Sequence, residues 1–146
     1  MISTDAKRTM VQLFASVDVK DSKTKAQSIL VVDDNPDDRK VFKRMLESAL
    51  YPLVESSSGK EALTAVEKAS FQLMTLDLSM PDMDGFDVLR AVRSKHSKLK
   101  IIVVSGFREG SMNKAAKSLG AAATLDKNLA IELLLPMVCD LLKDPK

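Results

Sequence analysis

The sequence predicts a single α/β domain in which a parallel β-sheet is covered by helices on both faces. Five short apolar runs alternate along the chain with longer amphipathic stretches. The runs are about four residues long, and most are rich in β-branched side chains, which is typical of strands buried on both faces of a parallel sheet. The longer stretches carry apolar residues at helical spacing. Parallel neighbours need crossover connections, and these predicted helices supply them.

The length and composition are those of one globular domain. The chain has 146 residues, of which 45% are hydrophobic and 29% are charged. The 22 basic and 20 acidic residues give a formal charge of +2, and they are interspersed, which argues against a direct nucleic-acid interface. No apolar stretch approaches the roughly 20 residues that span a membrane, and no signal peptide is evident, so we expect a cytoplasmic protein. One cysteine and one histidine exclude an internal disulfide and a histidine-rich metal site.

The chain divides into two parts. Residues 1–27 are polar and mixed in charge, and we interpret them as an N-terminal extension or linker. A short helix around Met10–Phe14 remains possible there. Residues 28–146 are predicted to form the domain.

The first strand and helix have the clearest boundaries. Ile29–Val32 is a β-branched run that ends in acidic residues. Asn35 and Pro36 then open a helix, because proline fits the first turn, where its missing N–H costs nothing. The apolar residues of this helix recur at helical spacing: Val41, Phe42, Met45, Leu46 and Ala49.

The next two units follow the same alternation. Tyr51–Glu55 is a weaker strand, and the Ser-Ser-Gly sequence at residues 57–59 leads into the second helix. Leu73–Leu76 is the third strand. Pro81 and Gly85 bracket a tight loop before the third helix.

The last two units are less regular. Ile101–Val104 is the fourth strand, and the helix Ser111–Leu119 ends at Gly120, a natural C-terminal cap. Ala122–Leu125 is a poorly branched fifth strand. Three further expectations concern the last helix: Asn128 caps its start, Pro136 kinks or interrupts it, and Cys139 is buried as a small apolar residue.

Polar side chains follow the strands at the ends where parallel sheets bind ligands. Asp33 and Asp34 end the first strand, Asp77 the third, Ser105 the fourth, and Lys127 follows the fifth. Converging carboxylates repel one another unless a cation lies between them, and Mg²⁺ suits oxygen ligands of this kind. An ionised aspartate needs no general base to act as a nucleophile, so this set favours phosphoryl transfer to a carboxylate.

The motifs that carry these residues resemble the receiver domain of two-component response regulators. The matching strings are ILVVDDNPDDR, LMTLDLSMPDMDGFDVLR, IIVVSG and the lysine after strand five. The resemblance covers about residues 28–143. It implies a doubly wound, five-stranded parallel sheet of order 2-1-3-4-5, a flavodoxin-like three-layer sandwich.

The resemblance also implies a role for each residue of the site. Asp77 would accept the phosphoryl group, and Asp33, Asp34, Asp77 and the backbone carbonyl of Ser79 would bind Mg²⁺, or Mn²⁺ in its place. Ser105 would be the hydroxyl that moves toward the phosphoryl group, and Lys127 the lysine that pairs with it.

The partners implied are a histidine kinase or a histidine phosphotransfer protein, and a downstream protein bound by the face of helix 4, strand 5 and helix 5. No enzymatic turnover of a substrate is expected beyond self-phosphorylation and autodephosphorylation. No direct contact with nucleic acid or membrane is expected, and the chain would be a monomer or a phosphorylation-dependent dimer. No output domain is expected in this chain.

Two departures from the family pattern leave alternatives open. Many members have proline after the lysine, where this chain has Asn128, and an aromatic residue three positions before it, where this chain has Thr124. A receiver-like module that binds partners without phosphorylation is therefore one alternative. A phosphatase of the haloacid-dehalogenase type is another, although its Asp-x-Asp pattern does not fit Asp33-Asp34-Asn35.

Overall fold

The computed structural model describes residues 28–106 and 110–143. Five strands and five α-helices alternate in this part of the chain. The strands are β1 (Ile29–Val32), β2 (Leu53–Ser56), β3 (Leu73–Leu76), β4 (Lys100–Ser105) and β5 (Ala123–Asp126). The helices are α1 (Pro36–Ser48), α2 (Gly59–Lys68), α3 (Gly85–Lys95), α4 (Gly110–Ser118) and α5 (Ala130–Leu142), with a 3₁₀ turn at Lys127–Leu129 before α5. The predicted extension at residues 1–27 lies outside the described residues.

The sheet is parallel throughout, and its strand order is β2-β1-β3-β4-β5, as the resemblance implied. The register aligns Val32 of β1 with Leu76 of β3. The residues that follow these two positions, Asp33 and Asp77, therefore leave the sheet side by side. The predicted strand and helix positions are confirmed, with ends that differ by one or two residues.

The two faces of the sheet carry separate hydrophobic cores, because alternate residues of each strand point to opposite sides. Leu30 and Val32 face α2, α3 and α4, whereas Ile29 and Val31 face α1 and α5. All four of these residues are at most 1% exposed. This two-sided burial explains why the central strands β1 and β3 are apolar except for Thr75, which is itself only 1% exposed.

Side-chain caps define the starts of three helices. The Asn35 side chain accepts hydrogen bonds from the amides of Asp37 and Asp38, with Pro36 at the first helical position. Ser58 caps α2 and Asp84 caps α3 in the same manner. These caps fix where the chain turns from each strand end into the next helix.

Two expectations about the last helix were wrong, and the one for Pro136 was confirmed in neither of its forms. Asn128 does not cap α5; it lies within the 3₁₀ turn, which Asp126 caps instead. Helix α5 is not interrupted at Pro136, which lies within it at an exposed position, and a kink there stays a prediction. Cys139 is exposed, because it lies outside the buried face of α5. That face consists of Ala130, Leu134, Val138 and Leu142.

Within residues 28–106 and 110–143, none of the helices combines the length and apolar character needed to cross a membrane.

Candidate functional site

Three carboxylates converge at the carboxyl end of the sheet. Asp33 and Asp77 follow the central strands β1 and β3 and are only 1% and 3% exposed. Asp34 is the next residue along the chain and is more accessible to solvent. One oxygen from each of the three carboxylates lies within 4.8 Å of the others. The structure therefore brings together the three acidic residues that the sequence predicted as metal ligands.

Local hydrogen bonds orient the two buried carboxylates in the same way. Asp33 Oδ1 accepts a hydrogen bond from the amide of Asn35 at 2.9 Å, and Asp77 Oδ1 accepts one from the amide of Ser79 at 3.0 Å. Each side chain thus uses one oxygen to fold its own loop. The second oxygen, Oδ2, is the one that contacts Lys127 in both residues.

The three carboxylates fit a hard divalent cation. Asp33 Oδ2 is buried and, among the described residues, has no hydrogen-bond donor, although the Lys127 ammonium lies 3.0 Å away. A buried carboxylate oxygen without a hydrogen bond is costly in a metal-free protein. Oxygen ligands from one or two carboxylates, completed by water, are what Mg²⁺ prefers. The donor set is therefore consistent with Mg²⁺ held by Asp33, Asp34 and Asp77.

Lys127 reaches the site from the turn after β5. The Asp126 carboxylate accepts a hydrogen bond from the amide of Asn128 at 2.8 Å, and the 3₁₀ turn begins there. No peptide bond in the described part of the chain is cis, so the turn that aims Lys127 is built without the proline of many family members. The Lys127 ammonium lies 3.2 Å from Asp77 Oδ2.

Burial raises the pKa of Asp77 from 3.8 to about 6. The hydrogen bond from the Ser79 amide and the Lys127 ammonium lower this pKa, while the charge of Asp33 raises it. Burial alone would lower the pKa of Lys127, but the hydrogen bond to Asp38 and the nearby charges of Asp33 and Asp77 hold it well above its usual range. Lys127 is therefore a permanent cation beside a desolvated carboxylate.

The structure places the remaining predicted residues at the same edge. Ser105 is the last residue of β4, is 3% exposed, and aligns with Asp126 of β5. Ser79 lies two residues after Asp77 and contacts it through its amide. Ser79 thus contacts a carboxylate of the site and Ser105 ends its strand at the same end of the sheet. The roles implied for the Ser105 hydroxyl and the Ser79 carbonyl stay predictions.

The structure adds two residues that the sequence did not single out for the site. Asp38 Oδ2 accepts a hydrogen bond from Lys127 at 2.8 Å. Arg39 donates to the backbone carbonyl of Asp33 at 2.7 Å and pairs with Glu55, which ties the loop after β1 to β2. In the sequence both residues stand at the start of an amphipathic helix, where charged residues are common without any further role.

Asp82 is a third such residue, and it anchors the loop that follows Asp77. Its two carboxylate oxygens accept hydrogen bonds from the amides of Gly59 and Lys60 at 3.1 and 3.2 Å. These bonds hold the pKa of Asp82 below its usual value. The loop after β3 is therefore fastened to the N-terminus of α2.

Comparisons with known proteins agree with this geometry. The family model of the response regulator receiver domain matches residues 29–138. The sequence is 33% identical over 107 residues to Sensor protein EvgS of Escherichia coli K12. The match covers 73% of this chain and 9% of that protein. It is 27% identical over 106 residues to Sporulation initiation phosphotransferase F of Bacillus subtilis, covering 73% of this chain and 86% of that protein. The chain spans less than a third of the length of the first curated relatives it matches.

Solved structures show the same similarity in three dimensions. The response regulator protein TrrA of Thermotoga maritima, in complex with Mg²⁺-BeF, superposes with a TM-score of 0.73 at 29% sequence identity. The match covers 80% of this chain and 99% of that one.

Proposed function

The chain belongs to the response regulator receiver domain family, and from this premise we propose that Asp77 accepts a phosphoryl group in the presence of Mg²⁺. The donor would be the phosphohistidine of a histidine kinase or of a histidine phosphotransfer protein. The phosphorylated chain would then signal by binding a downstream protein. Sensor and phosphotransferase names among its relatives are in keeping with this assignment.

One observation carries the proposal: a buried aspartate at the end of a central strand faces both a permanent cation and a cluster of acidic ligands. Asp77 Oδ2 lies 3.2 Å from Lys127 Nζ. One carboxylate oxygen each of Asp33, Asp34 and Asp77 lies within 4.8 Å of the other two. A nucleophilic carboxylate needs its own charge balanced before an anionic phosphoryl group can approach. Lys127 supplies one positive charge for that balance, and a divalent cation held by the acidic cluster would supply more.

The proposed transfer is an in-line displacement. An oxygen of the Asp77 carboxylate attacks phosphorus, the bond from phosphorus to the donor imidazole nitrogen breaks, and the electron pair of that bond stays on the nitrogen. Bound Mg²⁺ would neutralise charge on the phosphoryl oxygens. Asp33, Asp34 and the Ser79 carbonyl would hold that ion, Lys127 would donate a hydrogen bond to a phosphoryl oxygen, and Ser105 would donate another.

We propose that partners bind the face of α4, β5 and α5. Ile131 and Leu133 at the start of α5 are 70% and 42% exposed, and Leu129 in the preceding turn is 46% exposed. Thr124 of β5 replaces the aromatic residue of many family members, so an aromatic side chain cannot report phosphorylation from that position. We propose a cytoplasmic signalling domain, monomeric or dimerising on phosphorylation, whose only chemistry is the gain and loss of the phosphoryl group.

The test is incubation of the full chain with a small acyl phosphate and Mg²⁺, followed by intact mass measurement. We expect one phosphoryl adduct on the wild type, and none on Asp77→Asn or with a chelator present. The matched control is Asp87→Asn, because Asp87 is an exposed aspartate on α3 paired only with Arg90 in the described structure. An adduct that persists in Asp77→Asn would refute the assignment of the phosphoacceptor.

A receiver-like module that works without phosphorylation is the second candidate, and Thr124 and Asn128 are the residues that favour it. This candidate predicts no adduct on the wild type even where Mg²⁺ is shown to bind. It also predicts that partner affinity is the same for wild type and Asp77→Asn.

A further inference from the structure

The Lys127 ammonium lies among three carboxylates, with hydrogen bonds to Asp38 and Asp77 and an ion pair with Asp33. It carries three N–H groups, and three carboxylate oxygens surround it: Asp38 Oδ2 at 2.8 Å, Asp33 Oδ2 at 3.0 Å and Asp77 Oδ2 at 3.2 Å. The shortest of the three contacts is the one to Asp38. As long as the hydrogen bonds to Asp38 and Asp77 persist, Lys127 keeps only one N–H group for another acceptor.

Asp38 differs from the other two carboxylates in its location. Asp33 and Asp77 belong to the acidic cluster that fits a cation, whereas Asp38 lies in the first turn of α1, outside that cluster. A cation bound by Asp33 and Asp77 would compete with Lys127 for their oxygens. It would not release the contact between Lys127 and Asp38.

This contact is stronger than that of an ordinary surface pair. The side chains of Lys127 and Asp38 are 23% and 37% exposed, and two buried carboxylates adjoin the ammonium. Partial burial raises the interaction energy of opposite charges above its value in bulk water.

We propose that Asp38 is a positioning residue that competes with the incoming phosphoryl group for the Lys127 ammonium and thereby restrains phosphorylation of Asp77. The inference rests on the proposed function, and it names a restraint on the same site. Asp38 acts through Lys127 and does not touch the reacting atoms. Removing the charge of Asp38 weakens this contact, so that an N–H group of Lys127 can turn to the phosphoryl group.

The kinetic test compares Asp38→Asn with Asp37→Asn. Both residues lie in the first turn of α1, both donate their amides to Asn35, and of these two described residues only Asp38 contacts Lys127. The two substitutions therefore make the same change in charge within one helical turn. With a small acyl phosphate and saturating Mg²⁺, we expect kcat/KM of self-phosphorylation to rise about two- to fivefold in Asp38→Asn relative to Asp37→Asn. Equal rates, or a lower rate in Asp38→Asn, would refute the competition.

A second kinetic comparison tests whether Asp38 acts through Lys127. In a Lys127→Gln background, Asp38→Asn should leave kcat/KM unchanged, because the group for which it competes is gone. The same rise in that background would overturn the proposal, since it would show that Asp38 acts by charge alone.

A readout independent of phosphorylation is the reactivity of Lys127 itself. With trace acetic anhydride and no metal, peptide mass analysis of the full chain should show faster acetylation of Lys127 in Asp38→Asn than in Asp37→Asn. Unchanged labelling would show that Asp38 does not restrain the ammonium. Labelling could change as expected while the wild type gains no phosphoryl group. The proposed function would then fail, and with it the competition between Asp38 and the phosphoryl group, and only the restraint of Lys127 by Asp38 would stand. A wild-type adduct with equal variant rates would refute the role of Asp38 alone.

Discussion

Replacing Asp77 with asparagine is expected to stabilise the metal-free protein at neutral pH. The Asp77 side chain is only 4% exposed, and burial raises its pKa from 3.8 to about 6. Because the pKa in the folded state exceeds that of the unfolded chain, the folded state favours the protonated form. The resulting stability is fully present below about pH 4 and is lost as the pH rises through about 6. At neutral pH the ionised Asp77 therefore destabilises the fold, and a neutral asparagine would not.

The magnitude follows from the two pKa values. The difference between 3.8 and about 6, at about 1.4 kcal/mol per pH unit, corresponds to an upper limit of about 3 kcal/mol. Asparagine retains an oxygen for the Ser79 amide but gives up the ion pair with Lys127. We therefore expect Asp77→Asn to raise the free energy of unfolding by about 1 to 3 kcal/mol at pH 8 in EDTA.

The assay is urea unfolding of wild type and variant in EDTA, at several pH values between 5 and 8. The stabilisation by Asp77→Asn should shrink as the pH falls from 8 toward 5, since wild-type Asp77 becomes protonated. Asp140→Asn is the control, because Asp140 is 77% exposed and pairs only with Lys143 in the described structure; its effect should stay within about 0.5 kcal/mol. A variant less stable than the wild type at pH 8, or a difference that does not vary with pH, would refute the reasoning.

Two further predictions concern the loop that follows Asp77. Gly85→Ala should cost about 3 kcal/mol or more in urea unfolding, because a Cβ at Gly85 would lie 2.4 Å from the Cα of Leu78. Gly106→Ala is its control, since a Cβ there meets no atom of the described residues within 4 Å and should change stability by less than about 0.5 kcal/mol. Similar losses in both variants would contradict the steric argument. Asp82→Ala should lower the free energy of unfolding by removing the acceptor for two amides of α2, and Asp82→Asn, which keeps one acceptor, should lower it less. Wild-type stability in Asp82→Ala would show that the loop is held by other contacts.

The order of strands and helices was accessible from the sequence because local patterns determine it. Residues buried on both faces of a sheet must be apolar, so Ile29–Val32 and Ile101–Val104 stand out from their polar surroundings. Asn35 and Pro36 mark the start of α1 by side-chain and backbone chemistry within one turn. The sequence pattern was less reliable near Lys127. Asp126 and Asn128 are both good capping residues, and only the backbone path shows that Asp126 caps the turn.

Helix α5 shows a second limit of local reasoning. A proline in the interior of a helix, such as Pro136, removes one hydrogen bond, but whether the helix is interrupted depends on what surrounds the freed carbonyl. Here Pro136 and Glu132 are exposed, and the helix is continuous. The exposure of Cys139 was likewise decided by the exact direction in which the apolar stripe of α5 faces the sheet.

The sequence by itself determined the α/β class, the strand ends and the set of acidic, hydroxyl and lysine residues at those ends. It could do so because hydrophobic periodicity and capping act over a few neighbouring residues, and because the family motifs are short. Only the tertiary structure decided which oxygens meet. Asp38 and Lys127 are 89 positions apart, and their 2.8 Å contact depends on how α1 and the turn after β5 pack around β1 and β3. The same packing buries Asp77 and raises its pKa, because desolvation depends on every atom around the carboxylate and not on its sequence neighbours alone.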